Sequence, residues 1–339
     1  LPITDAALQN KTTEVIMVTI KDIANRLGIS TSTVSKGLNG ASDISESLRQ
    51  TVLDTAVELG YTTKQMRGKD RRKVCIFMEN MNFETPEQFG YDIILGFRQS
   101  AFRENYDVTI FPITPDIQAA EKYDIFMLKH GFVGGFMVGF ALMDDWMSQF
   151  SATSIPTALF DNYIRKNPLV ASVGSDTSEG IDDALVHLMG LGHRHIALIN
   201  GSWRSCITEQ RRQAYIDSMT AHNLPFDERT MPYGYYVADS AKDHIDRLLS
   251  MGITAILCGN DLLASGVIGE CLKRGVKVPG ELSVIGFDDI PLAARLDPPL
   301  TTVRQDRTEL GRSGFYTLHS LINRIPISRT MLRPQLIVR

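Results

Sequence analysis

Apolar residues recur at helical spacing near the start of the chain and gather into short unbroken runs after it, so the period changes partway along. Ile20, Ile23, Ala24 and Leu27 fall at i, i+3, i+4 and i+7 and predict a helix with one apolar face. Thr19 stands where a hydroxyl caps the free N–H groups of the first turn, and Gly28 supplies the positive φ that ends the helix. After Ile29, either Ser30 or Thr31 caps a second helix running through Leu38, with Val34 and Leu38 facing inward. A third helix is expected from Glu46 to Leu59, with Leu48, Val52, Leu53, Ala56 and Val57 as its stripe. Two short helices joined by a glycine turn and buttressed by a third form a helix-turn-helix unit, whose second helix enters a major groove N-terminus first.

From Val74 onward apolar runs alternate with amphipathic segments. Strands are expected at Val74–Met78, Val108–Phe111, Gly135–Val138, Thr157–Phe160, His195–Asn200, Ala255–Cys258 and Ser283–Phe287. Helices fall between them at Tyr91–Glu104, Ser178–Leu191, Glu209–Ala221, Ala241–Met251 and Leu262–Arg274. Such alternation implies parallel sheets covered by helices on both faces. A body of this length exceeds one such sheet, and two wound subdomains around a cleft fit it. Ligands of open α/β sheets bind beyond the carboxyl ends of the strands.

Charge sharpens the division. The net charge is −4, yet residues 17–73 hold ten Lys and Arg against six Asp and Glu, while residues 74–339 hold 24 against 31. A basic head on an acidic body points to nucleic acid at one end. No apolar run reaches the roughly 18 residues that span a bilayer, and Leu1–Asp5 lacks the basic and then apolar regions of a signal peptide. The chain is therefore expected in the cytoplasm, off the membrane, with residues 1–16 as an extension of little structure. Cys75, Cys206, Cys258 and Cys271 show neither CxxC pairing nor histidine at metal spacing, and they read as small hydrophobes of the core.

The second helix of the head opens with Thr31, Ser32 and Thr33, followed by Ser35 and Lys36. Hydroxyls there reach base edges or phosphates, and Lys36 reaches a guanine edge or a phosphate. Val18–Ala24, Gly28–Asn39 and Leu59–Tyr61 closely resemble the head of lactose-repressor (LacI/GalR) family regulators. The resemblance implies that Thr31, Ser32 and Lys36 choose bases and that Thr19 and Asn39 help to hold phosphates. It further implies a homodimer on a pseudo-palindromic double-stranded operator. The join departs from the family pattern, in which a Pro-Asn pair and an Ala-Arg-x-Leu run fold as a hinge helix on DNA. Here Thr62–Lys73 is shorter, lacks that leucine, and carries Gly68 amid dense charge, which disfavours a stable helix. A basic strap along phosphates, including Arg67 and Lys69, is the expected role, with Met66 as an alternative wedge in the minor groove.

The resemblance continues through Leu191–Ile199, Ala255–Gly266, Ser283–Asp289 and Pro298–Gln305, and so covers nearly the whole chain from Val18. It implies a small all-α helix-turn-helix head and an α/β body of the periplasmic-binding-protein type, with two Rossmann-like subdomains enclosing an effector. The expected domains are 17–61 for DNA binding, 62–73 as hinge and 74–339 for effector binding and dimerisation. In the cleft, Asp261 ends a strand and offers a carboxylate to ligand hydroxyls. Arg211 opens a helix with a guanidinium fork suited to a diol or carboxylate, and Asp161 follows another strand. By resemblance Arg211, Asp261, Asp161 and Gln305 belong to the effector-holding set. Phe89, Tyr91, Tyr236 and Trp203 supply aromatic faces for the apolar side of a ligand. Purine-binding relatives carry a second arginine about where this chain has Ser205, so the resemblance favours a sugar.

His193 and His195 precede a strand with no acidic or thiol partner at ligand spacing and read as a structural turn. No phosphate loop, no GxGxxG after the first strand and no GxSxG elbow is present, which argues against an enzyme, and no cofactor or metal is expected. The expected function is a DNA-binding repressor controlled by a small molecule. The alternative is a cytoplasmic sugar sensor whose head no longer binds DNA.

Overall fold

A computed structural model describes residues 18–63 and 71–339, and internal contacts separate a head, up to Arg67, from a body that begins at Gly68. The expectations for residues 1–16 and for Met66, Arg67, Gly68 and Lys69 lie outside the described residues.

In the head, α1 (Ile20–Leu27) starts at Thr19 through a reciprocal cap. The Thr19 amide and hydroxyl donate to Asp22 Oδ2 at 2.7 and 2.6 Å, and Gly28 ends the helix at φ +67°. Ser30, rather than Thr31, caps α2 (Thr31–Asn39) by accepting from the Thr33 amide at 3.1 Å. Ser45 caps α3 (Glu46–Glu58). Ile23, Ala24, Val34, Val52, Leu53, Ala56 and Tyr61 form the core of the head, whereas Leu38 is only half-buried. A β-carbon on Gly37 would lie 3.0 Å from the Val52 side chain, so α2 and α3 meet where α2 has no side chain.

The body holds two sheets. The first consists of β1 (Arg72–Met78), β2 (Tyr106–Pro112), β3 (Gly134–Val138), β4 (Thr157–Phe160), β5 (Val170–Ser175) and β10 (Arg329–Leu332), ordered β10-β5-β4-β3-β1-β2 and parallel throughout. The second consists of β6 (Ile196–Ile199), β7 (Ala255–Cys258), β8 (Ser283–Asp288), β9 (Thr301–Arg304) and β11 (Gln335–Ile337), ordered β11-β9-β8-β7-β6. Only β11 pairs antiparallel there. The helices of the first lobe are α4 (Phe89–Arg103), α5 (Pro115–Ala120), α6 (Tyr123–His130) and α7 (Asp145–Gln149). Those of the second are α8 (Thr177–Gly190), α9 (Cys206–Ala221), α10 (Ile245–Ser250) and α11 (Asp261–Lys273), before α12 (Arg307–Ile322) returns to the first. The chain thus passes between the lobes after β5, after β9 and after β10.

Strand alternation gives each sheet two buried faces, as parallel sheets require. In β1, Val74, Ile76 and Met78 enter one core with Phe97, Phe136 and Phe315, while Cys75 and Phe77 enter the other with Trp146 and Leu159. In β7, Ile256 and Cys258 face one core of the second lobe, and Ala255 and Leu257 the other. The crossing of α4 and α12 is especially close. A β-carbon on Gly96 would lie 2.0 Å from the Thr308 carbonyl oxygen, and one on Gly311 would lie 1.9 Å from that of Ile93.

Several elements depart from the sequence reading. The expected helix Ala241–Met251 is a 3-10 turn over Ala238–Asp243 followed by α10, with His244 at the break. Strands β5, β9, β10 and β11 and helices α5, α6, α7 and α12 were not foreseen.

Candidate nucleic-acid interface and ligand cleft

At the N-terminus of α2, Thr31 and Ser32 are exposed, while Thr33 and Ser35 are half-buried. The Thr33 hydroxyl is engaged with Ser30 Oγ at 2.9 Å. Asn39, at the far end, donates to the Ser35 carbonyl at 2.8 Å and is exposed. Lys36 is exposed and pairs with Asp43 in the turn before α3, and its ammonium holds the Asp43 carboxyl below the usual range. Thr19, Thr31, Ser32, Lys36 and Asn39 are thus all exposed, and Asp43 occupies the Lys36 ammonium.

The cleft group is built on the carboxyl ends of strands. Asp161 follows β4 in the first lobe at φ +55°, and Asp288 ends β8 in the second at φ +110°. Such angles cost a non-glycine residue about 1–3 kcal/mol each and persist where the surroundings enforce them. Beyond Asp288 the enforcement is visible, because Asp289 (φ +52°) is held by Arg304 Nε and Arg339 Nη2, each at 2.6 Å.

Arg211 lies on α9, 3% exposed, with its guanidinium stacked 4.1 Å over the Phe287 ring. Its Nη1 donates to the Gly259 carbonyl at 2.6 Å, its Nη2 stands 4.0 Å from Asp288 Oδ1, and its Nε is buried with no hydrogen-bond partner. Gln305 donates to Asp288 Oδ1 at 2.8 Å. Burial pushes the Asp161 carboxyl up to about 7, against the pull of Arg211, and the Asp288 carboxyl up to about 6. Arg307, at the start of α12, also acts on Asp288; it pairs with Asp92 at 2.8 Å and leaves Nη1 buried and unpartnered. Residues from both lobes and from a crossover thus converge on one polar cluster.

The structure brings Arg211, Asp161 and Gln305 together around Asp288, a residue not singled out from sequence. Asp261 stands behind this group. It is fully buried, with Oδ1 accepting from the Thr302 hydroxyl at 2.5 Å and Oδ2 from the Ile290 amide at 2.8 Å. Burial and the neighbouring Asp288 carboxylate push its own carboxyl up. The cap of α11 is Asn260, which accepts from the Leu263 amide at 2.9 Å.

Tyr236 is half-buried and its hydroxyl meets the Thr208 hydroxyl at 2.7 Å, three residues before Arg211 on α9. Its ring lies so close over Gly201 that a β-carbon there would fall 1.8 Å from it. Trp203, two residues on, is exposed. Phe89 opens α4 against Phe160 at 6.1 Å, and Tyr91 is half-buried one residue before Asp92. His193 bridges Thr254 and Ser283 through its two ring nitrogens, each at 2.9 Å, and so ties two strand entries together. Among the described residues no helix is long and apolar enough to cross a membrane, and no group of three or more His, Cys, Asp or Glu is placed to hold a metal ion.

Comparison with known proteins decides what this arrangement belongs to. Residues 19–64 match the family described as bacterial regulatory proteins, lacI family, and residues 185–339 match a periplasmic binding protein-like domain. The chain belongs to the LacI family. Among curated LacI-family relatives, the probable HTH-type transcriptional repressor ExuR of Bacillus subtilis (strain 168) is 28% identical over 317 residues, covering 91% of this chain and 92% of that protein. The HTH-type transcriptional repressor CytR of Escherichia coli (strain K12) is 27% identical over 306 residues, covering 88% of each. The fold is shared with the transcriptional regulator CelR–cellobiose complex, at TM-score 0.70, 23% identity and coverage of 95% and 99%. It is shared also with the lac repressor dimer bound to operator and the anti-inducer ONPF, at TM-score 0.68, 23% identity and coverage of 95% and 98%. This LacI-family chain is a DNA-binding transcriptional regulator, not an enzyme.

Proposed function

We propose that the chain is a repressor that binds a pseudo-palindromic operator as a homodimer in the cytoplasm, its DNA affinity set by a neutral sugar seated between the lobes. Thr31, Ser32 and Lys36 read bases, with Thr33 and Ser35 orienting the start of α2, and Thr19 and Asn39 hold phosphates. Residues 17–61 act as the DNA-binding domain and residues 62–73 as a basic strap along phosphates. The body from 74 carries effector binding and dimerisation, although β1 already begins at Arg72.

The observation that carries the reading is the buried Arg211, whose Nε has no partner and whose guanidinium faces carboxylates from both lobes. A buried donor left unmatched costs about 1–3 kcal/mol, which a ligand hydroxyl recovers. Asp161, Asp288 and Asp92 outnumber Arg211 and Arg307, so a polyol suits the cluster better than a phosphate ester or another anion. Tyr236 provides a ring for the C–H face of that ligand, with Phe89 and Tyr91 on the first-lobe side. Asp261 serves from behind by holding the Thr302 hydroxyl and the Ile290 amide.

Thermal-shift measurements over a panel of neutral sugars, sugar phosphates and nucleosides test the ligand class. Gel shifts with promoter DNA beside the chain's own gene then test the regulation. A neutral sugar that both stabilises the body and changes the DNA shift supports the reading. Stabilisation by sugar phosphates alone contradicts it.

A further inference from the structure

We infer that the cleft continues into an outer subsite at its mouth, where Trp203 receives a second sugar ring, so that the effector is a disaccharide or larger glycoside. This rests on the reading of the inner cleft as a sugar site. Burial falls from Arg211 through Tyr236 to Trp203. Asp288, Gln305 and Arg211 are almost fully buried, Tyr236 is half-buried over Gly201, and Trp203 is 53% exposed.

Exposed apolar residues of the first lobe meet the loop that carries Trp203. Leu142 and Met143 of the loop after β3 are 46% and 75% exposed, and the Leu142 amide donates to the Arg204 carbonyl at 2.8 Å. That bond joins the first-lobe loop to the loop that carries Trp203. The Arg204 guanidinium stacks on the Trp203 ring at 5.1 Å, which steadies a ring otherwise set in solvent. On the second lobe the exposed Tyr235 and the half-buried Tyr236 hold φ of +52° and +61°. Strained backbone at consecutive aromatic residues is retained where their placement is used. A pyranose offers C–H faces that rest on indole and phenol rings, while its hydroxyls stay in water at an open mouth. A single ring held at Arg211 and Tyr236 leaves the outer platform uncovered, and a glycosidically linked second ring covers it.

The test is titration calorimetry on the whole chain with matched sugars: glucose against cellobiose and maltose, galactose against lactose and melibiose, and xylose against xylobiose. At least one disaccharide is expected to bind about tenfold or more tightly than its monosaccharide, the equivalent of one stacked ring. In Trp203→Ala that advantage, the ratio of disaccharide to monosaccharide affinity, shrinks several-fold. Trp146 is fully buried, and Trp203 is the other of the two tryptophans, so disaccharide but not monosaccharide should change the exposed tryptophan emission. Monosaccharides that bind as tightly as every disaccharide, or an advantage that survives Trp203→Ala, overturn the outer subsite alone. Failure of every sugar to bind overturns the inner cleft reading, and the outer subsite with it.

Discussion

Asp161 and Asp288 approach one guanidinium, that of Arg211, from opposite lobes of the body. Burial raises both carboxyls, to about 7 and about 6, and the Asp288 charge adds to the rise at Asp161. A carboxyl raised in the folded state binds more protons there than in the unfolded chain. Its contribution to stability is complete below the unfolded value near 4 and is lost as pH rises toward 7. Asp161→Asn removes that loss. Without ligand, its Tm at pH 8 should exceed the parent's by roughly 2–4 °C, with little difference at pH 4, as read by scanning calorimetry. An equal change at both pH values would remove the titration from the explanation.

Arg211 is also a structural cation. Removing one partner of a buried charge pair leaves the other uncompensated and destabilises by about 3–5 kcal/mol. Arg211→Ala should therefore shift the urea midpoint of the body downward as well as abolish ligand stabilisation. Arg211→Lys keeps the charge but loses the planar stack on Phe287 and the fork toward Gly259 and Asp288. It should recover part of the stability and little of the ligand response.

Lys36, proposed to read a base, pairs with Asp43. Lys36→Ala should weaken specific operator binding by about 1–3 kcal/mol if the side chain reads a base. An equal loss on operator and random DNA would reassign it to a phosphate. Asp43→Asn frees the ammonium and should tighten DNA binding at low salt, the gain shrinking as salt screens the pair. Salt titrations of the two variants by fluorescence anisotropy separate these outcomes.

The crossing of α4 and α12 tolerates no β-carbon at Gly96. Gly96→Ala must push the helices apart against the Thr308 carbonyl, at a cost of about 1–3 kcal/mol or more. The denaturant midpoint of the body should fall without any change in the unfolding of the head. A neutral result would mean that α12 relaxes freely, against the contact described.

The head was legible because its signals are local: Thr19, Gly28 and the apolar spacing of Ile20 to Leu27 lie within one helix. Strands β1 to β4 and β6 to β8 announced themselves as apolar runs. Strand β5 did not, because Ala171, Ser172 and Gly174 dilute it, although all six of its residues are buried. Helix α12 was hidden by Gly311 and Gly314, which read as breakers in sequence and serve as contact points in space. The cleft was half legible. Arg211, Asp161 and Gln305 were named from sequence, but nothing local distinguishes the Asp288–Asp289 pair from the Asn260–Asp261 pair. Which carboxylate meets Arg211 and which is sealed behind Thr302 depends on how β7, β8 and β9 pair. That is a long-range property.

On the proposed function, a ligand at Asp288 governs DNA binding by the head. A ligand shifts such an equilibrium only through unequal affinity for its two states. The direct measurement is an operator titration of parent and Asp288→Asn, with and without the sugar that stabilises the parent in thermal-shift assays. Asp288→Asn keeps the size of the side chain and should bind operator with the parent's affinity while losing the sugar's effect. A full sugar response in Asp288→Asn would contradict the account and put the sensing site elsewhere.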